Sequence, residues 1–510
     1  MRKMKKISEW LYRIINVITI FIFTWILTVL CLGKYVDYAC KVDWKIGNIA
    51  LLIIGIGFVY ILKKVSGNIR IPINNHHMMV FSVAAIFLVC QIYIFYCIFF
   101  ETGWDSGGFV IPAARTLLAK GDVSNLNEAY FKTYPNNVLL VHIYYLILKI
   151  NEKIGIFKGT YQLMAIVVCN CFVSSLSCLM VYFIGEKKVS GKCAWIIYIW
   201  MLIVTGLSPW NVICYSDAMV LFFPISIAYI YMNEKINVYI KYSSILILGY
   251  IGYSIKPQAV IVVIAIVLTE IIRYMQGGTD KDIRKIAGTI VITMIVIFMF
   301  PNGLQKIYQK EGFVKDKNRE FGITHFVMMG MNEKSGGIWS GEDVAISAEC
   351  KTSRERTQTN VKVLKKRLKK YGWNGYLKFL SKKMLTNYND GTFAWGREGS
   401  FYYIVPDNSK IKLSHTLKNI YYNDGKYYKY FSTMGQFLWV LMLGTGWYVS
   451  IKEFIGKRNI NYGVSVMELS IIGITLFELL FEARARYIYL YVPIFALFVL
   501  MGMRKDKNCV

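Results

Sequence analysis

An all-α polytopic membrane fold follows from three observations on the 510-residue sequence. Apolar runs long enough to cross a bilayer recur from end to end, basic residues cluster in the short connections between them, and 55% of the residues are hydrophobic. Soluble domains are about 45–50% apolar, and the mean hydropathy here is +0.42. A run of roughly 17–25 apolar residues spans the hydrocarbon core as a helix.

The first run, 14–32, follows a basic Met1–Lys6 stretch. No small-residue cleavage site follows it, so it reads as a span and not as a removed signal peptide. The next runs are 46–62, 79–100, 161–184, 193–208, 217–232, 242–255, 258–272 and 286–304, and the last three are 433–451, 463–481 and 486–503. That predicts about twelve transmembrane helices. The apolar stretch 137–150 is short and follows Pro135, which predicts a helix lying on the membrane surface instead of crossing it.

Lys and Arg in short loops set the orientation. With the N-terminus in the cytoplasm, the groups Lys63/Lys64/Arg70, Lys187/Lys188/Lys192, Lys235/Lys241, Arg273/Lys281/Arg284/Lys285, Lys452/Lys457/Arg458 and Arg504/Lys505/Lys507 all fall on that side. Both termini are then cytoplasmic. Residues 1–304 form a transmembrane core whose first outer loop is 101–160, residues 305–432 form an extracytoplasmic domain, and 433–510 hold the C-terminal spans. No internal repeat is visible, which disfavours transporters built from paired repeats.

The formal charge of +28 would suggest nucleic acid in a soluble protein. Here it is distributed among membrane-flanking clusters and comes without a nucleic-acid motif, so no nucleic-acid partner is expected. The eleven Cys lie mostly in apolar runs, Cys169 and Cys171 point to different helix faces, and His76–His77 falls in a predicted loop. No metal-ligand spacing emerges. No cofactor is specified; a divalent metal is left open, because the acids are too few to define a cage. Neither a Walker A motif nor a dinucleotide glycine fingerprint is present.

Chemistry-bearing residues concentrate at the predicted outer face. Directly after the third span come Glu101, Trp104 and Asp105 with Gly107 and Gly108. Asp105 can serve as a general base, with Glu101 as a second acid; a solvated loop acid beside an interfacial Trp is the plainer reading. The glycines allow close backbone approach to a ligand. Tyr134 and Pro135 either wall a site or punctuate a helix start. Asp217 either caps the following span or joins Asp105 as a second acid. Lys256, before Pro257, interrupts an apolar stretch, and such a Lys faces a cavity or an anion or else snorkels at a hairpin. Arg484 and Arg486, with Glu482 and Tyr487, lie on the face that the positive-inside preference disfavours; paired guanidiniums suit a phosphate, and a Glu–Arg cap touching headgroups is the alternative. Phe393, Trp395 and Arg397 follow a tight turn at Asn389–Gly391 and can present a stacking surface for a sugar. Farther out, a predicted basic helix over 353–371 carries Lys362, Lys365, Lys366, Arg367, Lys369 and Lys370. These attract an anionic polymer or lie on lipid headgroups.

The Trp-Asp acid in a large outer loop, the surface helices after it, the second acid Asp217 and the broken span pair at Lys256-Pro257 together resemble the GT-C membrane glycosyltransferases. That superfamily includes bacterial relatives of the protein O-mannosyltransferases and the aminoarabinose transferases. The resemblance covers 79–304 well and the C-terminal part more loosely. The chain departs from the pattern in two extra N-terminal spans, in Trp-Asp-Ser where a paired Asp-Glu is usual, and in Tyr-Pro-Asn-Asn for the usual Pro-Pro.

The resemblance implies transfer of a sugar from a polyprenyl-phosphate donor to an outer acceptor such as a cell-envelope glycan or teichoic-acid-like polymer. Asp105 would be the catalytic base or an acceptor-orienting acid, and Lys256, Arg484 and Arg486 would be candidates for binding the donor phosphate. Trp104, Tyr134, Trp395, Arg397 and Tyr487 would wall the site. The expected location is a bacterial plasma membrane, with membrane lipids as surroundings. A polysaccharide polymerase or ligase, working through outer Arg residues, and a lipid-linked sugar flippase are the competing readings. The first needs no Asp105; the second leaves the outer acid idle.

Overall fold

The computed structural model describes residues 2–33, 46–68, 76–277, 280–408, 410–456 and 460–504. Helices dominate them: α1 (Arg2–Leu32), α2 (Asn48–Asn68), α3 (His76–Cys97), α4 (Ile111–Leu118), α5 (Val138–Ile154), α6 (Met164–Lys188), α7 (Gly191–Met201), α8 (Ser216–Val220), α9 (Phe222–Met232), α10 (Val238–Ile255), α11 (Ile261–Met275) and α12 (Asp280–Lys310). After these come α13 (Ile323–Gly330), α14 (Gly341–Ala348), α15 (Ser353–Tyr388), α16 (Lys412–Tyr421), α17 (Tyr428–Ile455), α18 (Tyr462–Leu480), α19 (Ala485–Tyr489) and α20 (Val492–Gly502). Strands β1 (Glu101–Thr102) and β2 (Tyr402–Ile404) pair antiparallel.

Among the described residues, seven helical segments are long and apolar enough to cross a membrane: Lys3–Leu32, His77–Cys97, Gly159–Lys188, Val238–Ile255, Pro257–Met275, Tyr428–Ile455 and Tyr462–Leu480. Four shorter apolar helical segments are Asn48–Val59, Gly191–Gly206, Ser216–Met232 and Val492–Gly502. These overlap the predicted runs other than 286–304, which falls inside the 31-residue helix α12. The stretch after Pro135 forms α5, 17 residues long. Gly155 ends it at φ 75°, a left-handed position that glycine adopts without strain. His76–His77, read from sequence as a loop, instead open α3.

The core is largely apolar and aromatic. α20 is buried over nearly its whole length, and Phe23 of α1 packs on Phe495 and Phe498. Segment 305–432 is tied into this bundle. The basic helix predicted to end at residue 371 continues to Tyr388 as α15, with a kink at Gly372 (φ 57°). Its last turns are buried, and Tyr388 bonds Thr475 of α18. A turn follows in which the Asp390 carboxylate accepts from the Thr392 N–H, the Thr392 hydroxyl and the Ala394 N–H.

Candidate functional site

Asp105 stands one residue beyond a backbone in the left-handed region: Trp104 has φ 38°, a strained position for a non-glycine residue. Strand β1 fixes the entry to this turn through its pairing with β2. Ser106 closes the exit by donating to the Cys214 carbonyl at 2.7 Å. Gly107 is needed because a Cβ there would strike the Thr102 carbonyl, whereas Gly108 faces open space. The first glycine therefore serves the turn's own packing, not close approach of a ligand.

The Asp105 side chain is half-buried. Among the described residues it has no ion pair, and the Tyr215 hydroxyl donates to it at a long 3.5 Å. Tyr215 is held by Asn137, which donates to it at 3.3 Å, and packs edge-on against Trp104 with ring centres 4.9 Å apart. The Trp104 indole N–H is buried and has no hydrogen-bond partner among the described residues.

Next to this turn lies a buried ionic network. Asp217 does not cap its helix; it lies in the first turn of α8, and its carboxylate pairs with Lys256 and with Arg486, the latter at 3.5 Å. Asp217 is 1% exposed and Lys256 5%, which excludes a snorkelling lysine. Lys256 sits where Pro257 starts a new turn between α10 and α11, and it lies 4.5 Å from the Tyr487 ring centre. Arg486 reaches Glu398 at 3.1 Å and lies 4.7 Å from the centre of the Trp104 ring. Arg484 pairs with the same Glu398 at 2.9 Å and with Glu482 at 2.6 Å. Burial alone would lower the Arg484 pKa, but the carboxylates of Glu398 and Glu482 outweigh it and raise it.

Two further groups complete the arrangement. Lys383 of α15 is fully buried, and its ammonium donates to the carbonyls of Gly330, Leu479 and Phe481 at 2.8, 2.8 and 2.6 Å. Burial pushes its pKa down to about 7, against the pull of Glu478 and Glu482. Glu478 accepts from the Arg484 backbone N–H at 3.2 Å. The named buried groups are four acids, Asp217, Glu398, Glu478 and Glu482, and four bases, Lys256, Lys383, Arg484 and Arg486. Asp105 has no ion pair with any of them.

The structure thus brings Trp104, Asp105, Asp217, Lys256, Arg484, Arg486 and Tyr487 into one cluster. Tyr134 joins them: burial raises its hydroxyl pKa, with Asp105 and then Glu482 adding to the effect. Two sequence candidates fall elsewhere. Glu101 is clamped by Arg115 through two bonds of 2.8 and 3.1 Å, so it anchors the loop. Trp395 is fully buried and donates to the Tyr421 carbonyl at 2.7 Å, beneath the site and not in its wall. Arg397 is half-buried on the same turn as Glu398. Tyr215, Lys383, Glu398 and Glu478 were missed as site residues. Glu478 did carry a signal, an acid inside an apolar run. Among the described residues, no group of three or more His, Cys, Asp or Glu side chains is placed to hold a metal ion.

Fold and site together define a polytopic α-helical integral membrane protein with a buried ionic cluster at one end of its bundle. A family model described as conserved hypothetical integral membrane protein matches residues 1–507, and the chain belongs to that family. No curated protein and no solved structure matches it.

Proposed function

We propose that this protein is a membrane glycosyltransferase that moves a sugar from a polyprenyl-phosphate donor to an extracytoplasmic acceptor, a cell-envelope glycan or teichoic-acid-like polymer, at the plasma membrane. The observation that carries this reading is Asp105, a half-exposed carboxylate without an ion pair among the described residues, on a strained turn whose Trp104 ring lies 4.7 Å from the Arg486 guanidinium. The GT-C-like order of loop acid, second acid and Lys-Pro break agrees with it.

In the reaction, an acceptor hydroxyl attacks the anomeric carbon and the bond from that carbon to the phosphate oxygen breaks. Polyprenyl phosphate leaves with the bonding pair, and the hydroxyl proton passes to Asp105. One displacement inverts the anomeric centre. A guanidinium offers five N–H donors, so Arg484 and Arg486 can each hold their carboxylates and still meet a phosphate oxygen as its charge develops. The unpaired Trp104 indole N–H is a further donor beside the acid. Asp217 and Glu398 hold the cations in place.

The test compares membranes containing wild-type protein or Asp105→Asn at matched expression, following radiolabelled sugar from polyprenyl-phosphate donors into envelope polymer. Loss of transfer with donor binding retained supports the assignment. Unchanged transfer sinks it and moves attention to the arginines and the polymerase reading.

A further inference from the structure

Helix α15 has a second face that the site does not use. From Arg356 to Tyr388 the sequence holds ten Lys or Arg and no Asp or Glu. Before the kink, one side of the helix is packed. Arg356 donates to the carbonyls of Ser347 and Cys350, Arg367 pairs with Asp343 of α14, and the Tyr371 hydroxyl donates to the Met331 carbonyl. At about 100° per residue, Lys362, Lys365, Lys366 and Lys369 fall on the opposite side, and all four are exposed.

Apolar side chains stand beside these lysines. Trp373, the first residue after the kink, is 74% exposed, and Leu368 and Leu377 are exposed as well. A solvated basic helix has no use for an exposed Trp, whereas an interfacial helix places Trp and Leu at the headgroup level and its lysines among the phosphates. The location fits. Ser381, two turns past Trp373, accepts the indole N–H of Trp25, which lies in the membrane-crossing helix α1. The second half of α15 therefore runs from the surface at Trp373 into the bundle beside this helix.

We propose that this face of α15 is a docking surface for anionic phospholipid headgroups, with Lys362, Lys365, Lys366 and Lys369 binding phosphate and Trp373 and Leu377 seated at the interface. Lysines act here as point charges on flexible stems, so the recognition is of charge density and not of one lipid species. The surface is independent of the glycosyltransferase reading. It holds segment 305–388 to the bilayer whatever reaction the cluster performs.

The experiment places the full chain in nanodiscs of brominated phosphatidylcholine, without or with brominated phosphatidylglycerol. The difference emission between wild type and Trp373→Phe isolates the Trp373 signal. The expected result is quenching in both lipids and stronger quenching with phosphatidylglycerol, an increment that added salt removes. Reversing Lys362, Lys365, Lys366 and Lys369 to Glu should lower the apparent affinity for phosphatidylglycerol by about tenfold or more while emission from the other tryptophans stays unchanged, which reports the fold. Absence of quenching overturns the proposal. So does quenching that is equal in both lipids and indifferent to the lysines, or a Trp373 signal that responds only to a soluble anionic polymer such as poly(glycerol phosphate).

Discussion

The guanidinium of Arg486 lies 4.7 Å from the centre of the Trp104 ring, and Trp104 immediately precedes Asp105. A residue from the last connection of the chain is thereby stacked on the turn that presents the first-loop acid. Glu398 and Asp217 hold the same guanidinium from two further segments. Four distant stretches of sequence meet at this guanidinium, and the two carboxylates pair with it while Asp105 stays outside those pairs. This geometry makes distinct demands on each residue.

The Asp217–Lys256 pair is buried, and breaking such a pair leaves an uncompensated charge at a cost of about 3–5 kcal/mol. The two ends are not equivalent. Lys256→Met leaves Asp217 paired with Arg486, whereas Asp217→Asn leaves Lys256 without its carboxylate and Arg486 with Glu398 alone. Thermal unfolding in detergent should show Asp217→Asn as the less stable variant, and the double variant should recover part of its loss. Equal effects would mean that Arg486 does not sense Asp217.

Arg486→Lys tests the shape of the cation apart from its charge. A lysine can meet one carboxylate, but it cannot bridge Asp217 and Glu398 while stacking on Trp104. Sugar transfer should fall about a hundredfold, the scale of losing one oriented donor in an active site, with little change in the unfolding temperature. Initial rates at saturating donor check this. Retained activity would reduce Arg486 to a structural counter-ion.

The turn carrying Glu398 depends on Asp390. Its carboxylate accepts three hydrogen bonds, while Phe393 and Ala394 sit at φ 57° and 62°. Asp390→Asn keeps one accepting oxygen and loses the other, so the Ala394 N–H goes unpaired. A destabilisation of about 1–3 kcal/mol is expected, and Asp390→Ala should cost more. Thermal unfolding of the two variants beside wild type measures the order; no loss in either would mean the turn is held by its packing.

Much of the bundle was legible in the sequence because crossing a bilayer imposes a length and an apolarity that each span carries by itself. Pro257 and the basic clusters were equally local signals. The network was only partly legible. Arg484 and Arg486 stood out because guanidiniums on the face disfavoured by the positive-inside preference need a reason. Glu398 gave no such sign, since it follows a turn rich in polar residues and its partners lie some 86 and more positions away. Trp395 was misplaced for the converse reason: an aromatic beside turn residues reads as a surface, and only the fold puts it under Trp210 and Phe100. The kink at Gly372 hid the continuation of α15 into the core.

His325 supplies a pH dependence. Ser347 donates to Asn360, so its oxygen accepts from Nδ1–H of His325, and Nε2 is buried without a partner among the described residues. Burial pushes the His325 pKa down to about 4 from 6.5, so the fold prefers the neutral ring. The unfolded chain binds the extra proton first, and stability is therefore lost as pH falls from about 6.5 towards 4, by at most about 3 kcal/mol. Protection factors in α13 and α14, hydrogen-exchange rates divided by the intrinsic rate at each pH, should fall over that window and stay level from pH 7 to 8. His325→Gln should remove most of the dependence.

The central claim is that Asp105 and the arginine cluster perform sugar transfer from a lipid phosphate. Its most direct measurement uses purified protein, a polyprenyl-phosphate donor labelled in the sugar, and an envelope-polymer acceptor. The expected result is release of polyprenyl phosphate together with label in the acceptor through an inverted linkage, both lost in Asp105→Asn. Label that reaches the acceptor undiminished in Asp105→Asn, or a donor that crosses a vesicle membrane intact without releasing its sugar, would contradict it.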